Sequence, residues 1–134
     1  MSDTFSIDIT VAGNHDDVVE KVTKALATEG FGVLTTIDVK ATLKKKIDVD
    51  FRAYSILGAC NPALAHQALT ARADVGLMLP CNVTVEENGD GNCSVRFIDP
   101  MAMMTFQSLG ENETLSGLGA QAGEKISRAA QSLA

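Results

Sequence analysis

Apolar and polar residues alternate along the chain in a way that predicts five strands. Residues Phe5 to Val11 alternate with a period of two, the pattern of a half-buried strand. The other predicted strands are Phe31–Val39, Phe51–Ala59, Gly76–Glu87 and Asn92–Ile98. Asn88 to Gly91 is a strong hairpin turn signal between the last two, so these strands are expected to pair antiparallel. Pro80 lacks an amide donor and predicts a bend, an edge or an interruption in its strand.

A second period, of 3.6 residues, predicts helices between and after these strands. The predicted helices are Asp16–Glu29, Ala41–Lys46, Pro62–Arg72 and a C-terminal helix over about 113–133. Asn14, Asp38 and Asn61 precede the first three, where such side chains cap the first helical turn. The Met-rich segment from Asp99 to Gly110 is predicted to be irregular.

The order of these elements favours an α+β fold. A hairpin and a meander-like strand order indicate a single, mainly antiparallel sheet with helices on one face, and not a doubly wound parallel sheet. The first and last helices are expected to share that face. A length of 134 residues fits one domain over residues 1–134.

Charge and composition exclude several classes of function. The formal net charge is −6 and the pI is near 4.7, so the chain is expected to avoid nucleic acid and anionic membranes. Aromatic residues make up only 4%, with no Trp, which disfavours stacking on single strands. No apolar run approaches membrane-spanning length. Because the first ten residues lack a basic start, no signal peptide is expected, and the predicted location is cytoplasmic.

Several familiar motifs are absent or out of context. Gly117 to Gly123 carries glycines at dinucleotide-loop spacing but does not follow a strand, so we expect it to let the last helix pack closely on the sheet. The chain has three Cys and two His without zinc spacing, so neither a metal nor another cofactor is predicted. His15 is expected to be solvated. His66 is a surface or boundary residue, or else part of a site.

The cysteines are the residues that could carry chemistry. Cys60 ends a strand just before a helix start, where the helix dipole favours a thiolate. Cys81 follows Pro80 at the predicted break in a strand. Both thiols are either reactive or simply small buried hydrophobic groups, and the sequence leaves the two interpretations open. Cys93 lies in mid-strand beside Val95 and is expected to be core.

The Met-rich segment adds soft, flexible side chains to this picture. Met101, Met103, Met104 and Phe106 form what we call the Met lip, which either fills gaps in the core or lines an adaptable binding surface. With two Cys nearby, a soft Cu(I)-type site is conceivable but is not part of the prediction. The candidate ligand-binding residues are Cys60, Asn61, Pro80, Cys81, Met101, Met104 and His66. Cys60 and Cys81 are predicted to lie close together, on the same side of the sheet and near residues 101–104.

Three motifs in order carry a family resemblance. They are Cys60-Asn61-Pro62 at a strand exit, Leu79-Pro80-Cys81 with Val83, and Asp99-Pro100-Met101. Together they resemble the small prokaryotic family called domain of unknown function 302, over about residues 5–104. The resemblance implies a fold similar to the TATA-binding-protein-like strand–helix–four strands–helix class, with an extra helix, and implies no activity.

Three functions remain in view. The first is a binding or interaction module for an unknown small ligand, without established catalysis. The second is a thiol-dependent redox or sulfur-compound activity through Cys60 and Cys81, and the third is a structural scaffold for a partner protein. A one-sided sheet leaves its other face uncovered, so a homodimer is also predicted, through that face or through the Met lip.

Overall fold

A computed structural model describes residues 4–134. The strands are β1 (Ser6–Ala12), β2 (Gly32–Asp38), β3 (Tyr54–Cys60), β4 (Cys81–Glu87) and β5 (Asn92–Ile98). The α-helices are α1 (His15–Thr28), α2 (Val39–Ile47), α3 (Pro62–Ala71), α4 (Pro100–Met104) and α5 (Glu113–Leu133). Two 3-10 helices span Ala73–Met78 and Gln107–Glu111.

An Asn or Asp side chain begins each of these five α-helices. The side chains of Asn14, Asp38 and Asn61 accept hydrogen bonds from backbone amides in the first turns of α1, α2 and α3. Asp99 and Asn112 do the same for α4 and α5. Because each bond satisfies an amide that has no partner within its helix, the local sequence sets where these helices start.

The strands form one antiparallel sheet in the order β1-β5-β4-β3-β2. The β4–β5 pair is the predicted hairpin, with Val85 opposite Val95. At the other end of β4, Cys81 lies opposite Ala59 of β3. The α+β fold with a mainly antiparallel sheet is therefore confirmed.

The core lies between one face of the sheet and the helices. Alternate residues of the central strands are buried, including Leu57, Val83, Val85, Val95 and Phe97. The first and last helices contribute their apolar stripes to the same cluster, from Val18 to Leu26 and from Leu115 to Ala130. Cys93 is fully buried in this cluster, as predicted. Among the described helices, none has the length and apolar character needed to cross a bilayer.

The opposite face of the sheet is more polar at its centre than at its β2 edge. Glu86 accepts hydrogen bonds from Arg52 and, at 2.7 Å, from Arg96. These arginines hold the pKa of Glu86 below its usual range. On the edge strand, Leu34 is 68% exposed and Ile37 is 49% exposed, so apolar surface reaches solvent there.

Two sequence predictions of secondary structure are wrong in part. The strand predicted to start at Gly76 starts at Cys81, because residues 73–78 form a 3-10 helix anchored by fully buried Val75. The segment predicted to be irregular contains α4 and the second 3-10 helix. Asp99 caps α4 and Pro100 occupies its first position, a signal equivalent to the Asn61-Pro62 pair that identified α3.

Candidate functional site

A small apolar cavity lies at the end of the sheet where β3 stops and β4 begins. Its volume is about 30 Å³, roughly the space of one or two water molecules. The residues that line it come from the sheet, from the loops at its end, and from α3, α4 and α5: Phe31, Ala59, Cys60, Asn61, Leu64, Ala65, Leu79, Pro80, Cys81, Met103, Met104, Leu118 and Ala122. In this set, Asn61 is the one polar side chain other than the thiols.

Cys60 lines the cavity from the last position of β3. It pairs with Gly32 on the neighbouring edge strand and is only partly buried. The next residue, Asn61, caps α3 by accepting a hydrogen bond from the Leu64 amide at 3.3 Å. Cys60 therefore lies at the β3–α3 junction and is less buried than Cys81.

Cys81 lines the same cavity from the first position of β4. It is 6% exposed. Burial, and next the charge of a nearby Cys60 thiolate, raise the pKa of Cys81 from 9.0 to about 11. The Cys81 thiol therefore keeps its proton at neutral pH. Both cysteines line the same cavity as Met103 and Met104, and they differ in exposure. The prediction that they lie on the same side of the sheet stays a prediction, because Cys81 pairs with Ala59, the residue before Cys60.

Pro80 has a packing role besides lining the cavity. A Cβ atom at Gly58 of β3 would lie 2.8 Å from Pro80 Cγ and would overlap Thr35 Oγ1. Only glycine allows the start of β4 and the edge strand to approach β3 this closely. Sequence reasoning missed Gly58, although a glycine inside a strand pattern is a signal of close backbone approach.

The methionines divide between the cavity and the surface. Met103 and Met104 are 4% and 5% exposed and line the cavity. Met101, a predicted site residue, is 38% exposed and lies instead beside a shallow depression along α5. All three residues lie in the short helix α4, in which Met103 and Met104 face inward and Met101 faces solvent.

His66 lies apart from the cavity. It lines a separate shallow depression with Gln67, Thr70, Ala71 and Thr114. Of the seven predicted ligand-binding residues, the structure brings together Cys60, Asn61, Pro80, Cys81 and Met104, and it leaves out His66 and Met101.

His15 is not solvated as predicted. Its Nε2 lies 2.9 Å from Ser55 Oγ, and its Nδ1 lies 3.1 Å from Oδ1 of Asp16. This order of serine, histidine and carboxylate resembles a nucleophile relay. However, Ser55 is 4% exposed and faces the helix side of the sheet, so its hydroxyl is closed to a substrate. The pair instead satisfies two polar groups at the interface between α1 and β3.

Oxygen and nitrogen ligands for a metal do not gather in the described residues. Within residues 4–134 no three His, Cys, Asp or Glu side chains form a metal-binding group. Methionine sulfur, which two residues bring to the cavity, is not among these four ligand types.

Comparison with known proteins gives a family and a fold. The family described as "Domain of unknown function DUF302" matches residues 7–133. An uncharacterized conserved DUF302 protein from Bacillus stearothermophilus has a crystal structure similar to this chain, with a TM-score of 0.85 and 24% sequence identity. The similarity covers 98% of this chain and 99% of that chain. No curated protein matches.

Proposed function

The chain belongs to the DUF302 family, whose description names no function, and from the geometry of its cavity we propose a thiol-exchange function for Cys60 and Cys81. The observation that carries this proposal is that two thiols from neighbouring strands line one small apolar cavity. A cavity of about 30 Å³ leaves little space for an organic ligand, whereas it accommodates two sulfur atoms that approach each other.

The difference in exposure assigns a role to each thiol. Cys60 is the attacking thiol, because it is the less buried of the two cysteines. Cys81 is the resolving thiol, because it is buried beside Cys60 and largely protonated. Exchange rates depend on thiolate fraction and on access. Burial of Cys81 limits access to its thiol and raises its pKa, which supports its role as the second thiol.

The exchange proceeds in two balanced steps with a small disulfide as oxidant. The Cys60 thiolate attacks one sulfur of the disulfide, forms a mixed disulfide and releases the other half as a thiolate. Cys81 then loses its proton and attacks Sγ of Cys60, which expels the second half as a thiolate and leaves a Cys60–Cys81 disulfide. The protein loses two hydrogens and the small disulfide becomes two thiols. Once Cys60 is in the mixed disulfide, its charge no longer opposes ionisation of Cys81.

Intact mass spectrometry after incubation with 2-hydroxyethyl disulfide tests this function. We expect wild-type protein to lose two hydrogens, with peptide mapping that joins Cys60 to Cys81. Cys81→Ser should stop at a mixed disulfide on Cys60, and Cys60→Ser should give no exchange product. Cys93→Ser is the matched control and should behave as wild type, since its thiol lies elsewhere in the core. The proposal would be contradicted if Cys93 reacted with the disulfide as extensively as Cys60, or if no Cys60–Cys81 disulfide formed.

A second candidate is a binding module for a small apolar ligand, which the apolar lining of the cavity favours. Binding would require the cavity to widen, with Met103 and Met104 as the adaptable wall. Xenon is a suitable probe because it is a single apolar atom. Shifts of methyl signals around the cavity in an NMR titration, removed by Ala65→Leu, would support binding. Their absence would leave thiol exchange, or the scaffold role for a partner protein, as the remaining function.

A further inference from the structure

We propose that the cavity is a binding site for one soft monovalent metal ion of the Cu(I) class, with the sulfur atoms of Cys60, Cys81, Met103 and Met104 as its ligands. This proposal uses the same cysteine pair as the proposed thiol exchange, but it adds the two methionines. The four side chains come from the end of β3, the start of β4 and α4, and all four line one cavity.

The chemistry of the lining selects a soft ion. Thiolate and thioether sulfur are the protein ligands that favour Cu(I), whereas Mg²⁺, Ca²⁺ and Mn²⁺ require oxygen. Neither a carboxylate nor an imidazole lines the cavity, and Asn61 is already used to cap α3. The third cysteine is excluded, because Cys93 lies in the core with its Sγ 3.7 Å from the carbonyl oxygen of Gly13.

The size of the cavity favours a single ion. A volume of about 30 Å³ suits one ion and excludes a metal cluster. An isolated charge in an apolar cavity is strongly destabilised. The cysteines that bind the ion do so as thiolates and compensate its charge, while the thioethers of Met103 and Met104 add soft ligands without charge.

Metal binding and thiol exchange are expected to exclude each other. A metal held by both cysteines blocks the attack of Cys60 on a disulfide, and a Cys60–Cys81 disulfide removes both thiol ligands. Substitution of the methionines separates the two proposals, since the disulfide needs only the cysteines.

The test is an anaerobic titration of the reduced full-length protein with Cu(I), in competition with the chromophoric chelator bicinchoninate. We expect one Cu(I) per chain for wild type and for Cys93→Ser, and loss of this binding for Cys60→Ser and Cys81→Ser. The double variant Met103→Leu, Met104→Leu keeps the apolar volume. Its affinity should fall by about tenfold or more, the scale seen when groups that support a metal site are removed. It should still form the Cys60–Cys81 disulfide with 2-hydroxyethyl disulfide.

Each of the other possible results contradicts one of the two proposals or the number of sulfur ligands. Cu(I) affinity unchanged in the methionine double variant would overturn the four-sulfur site. Wild-type protein that forms the disulfide but binds no Cu(I) would overturn the metal proposal and leave thiol exchange standing. Tight Cu(I) binding without disulfide formation would support the metal site and overturn thiol exchange.

Discussion

Cys81 shows how burial controls the ionisation of a single thiol. Its thiol is shielded from water, and its pKa is raised from 9.0 to about 11, first by burial and then by Cys60. Cys60 lines the same cavity and is only partly buried. Two identical side chains at one cavity thus differ in burial, and burial shifts the ionisation of Cys81.

The raised pKa of Cys81 predicts a pH dependence of stability. In the unfolded chain the thiol loses its proton near pH 9, whereas in the folded chain it keeps the proton up to about pH 11. The contribution of Cys81 to the free energy of unfolding is therefore fully present below pH 9 and is lost as the pH rises to 11. Two pKa units correspond to about 2–3 kcal/mol.

Urea unfolding of wild type and Cys81→Ser between pH 8 and pH 11 measures this effect. The wild-type free energy of unfolding should fall more steeply than that of the variant, and the difference isolates Cys81 from other groups that titrate there. Parallel curves for the two proteins would show that Cys81 is not shielded from water.

The hydrogen bond between His15 and Ser55 is expected to contribute measurably to stability. Removing either side chain leaves the other without its buried partner, so His15→Ala and Ser55→Ala should each destabilise the fold by about 1–3 kcal/mol. A double-mutant cycle by urea unfolding should give a coupling energy of about 1 kcal/mol. Additive single effects would show that the 2.9 Å contact contributes nothing.

At the level of elements, Gly119 of α5 allows the close approach of helix α4. A Cβ atom at Gly119 would lie 3.1 Å from Met104 Cβ and 3.2 Å from both Met101 Cα and the Pro100 carbonyl oxygen. The prediction that the glycines of α5 allow close packing on the sheet is therefore wrong about the partner. Gly119 faces the short helix that brings Met103 and Met104 to the cavity, while Gly117 and Gly123 have open space around them.

Alanine substitutions in α5 should therefore have opposite effects. Gly119→Ala should destabilise the protein by about 1–3 kcal/mol, because backbone and Cβ atoms of α4 must shift. Gly123→Ala is the matched control and should stabilise by up to about 1 kcal/mol, since alanine favours a helix and meets nothing within 4 Å. Thermal unfolding compares the two variants, and equal midpoints would contradict the packing role of Gly119.

At the level of the whole molecule, α1, α4 and α5 cover one face of the sheet with their buried side chains. The uncovered face has ion pairs at its centre, around Glu86, and apolar side chains on the edge strand β2. Met101 and Phe106 of the Met lip are also exposed. We propose that this protein forms a homodimer through the uncovered face or through the Met lip, because exposed apolar patches mark interaction sites.

Light scattering over a dilution series tests the homodimer. The expected mass is twice 14.1 kDa at high concentration, with dissociation on dilution. Ile37→Lys should weaken a dimer formed through the sheet face, and Met101→Lys should weaken one formed through the lip. A wild-type mass of 14.1 kDa at all concentrations would contradict the proposal.

The sequence by itself determined the strands, most helices and the family motifs, because these depend on local periodicity and capping. Asn14, Asp38 and Asn61 begin their helices as predicted, and the Asn88–Gly91 turn joins β4 to β5. These interactions connect residues close together in the chain, so they can be predicted from the sequence without knowledge of the fold.

Only the tertiary structure decided which of the predicted site residues meet. Cys60 and Cys81 come together because β3 pairs with β4, and Met103 and Met104 join them because Gly119 lets α4 approach α5. His66 and Met101 fit the same sequence criteria but point elsewhere. The distinction depends on contacts between residues far apart in the chain and on the side of a helix that becomes buried, which local patterns do not specify.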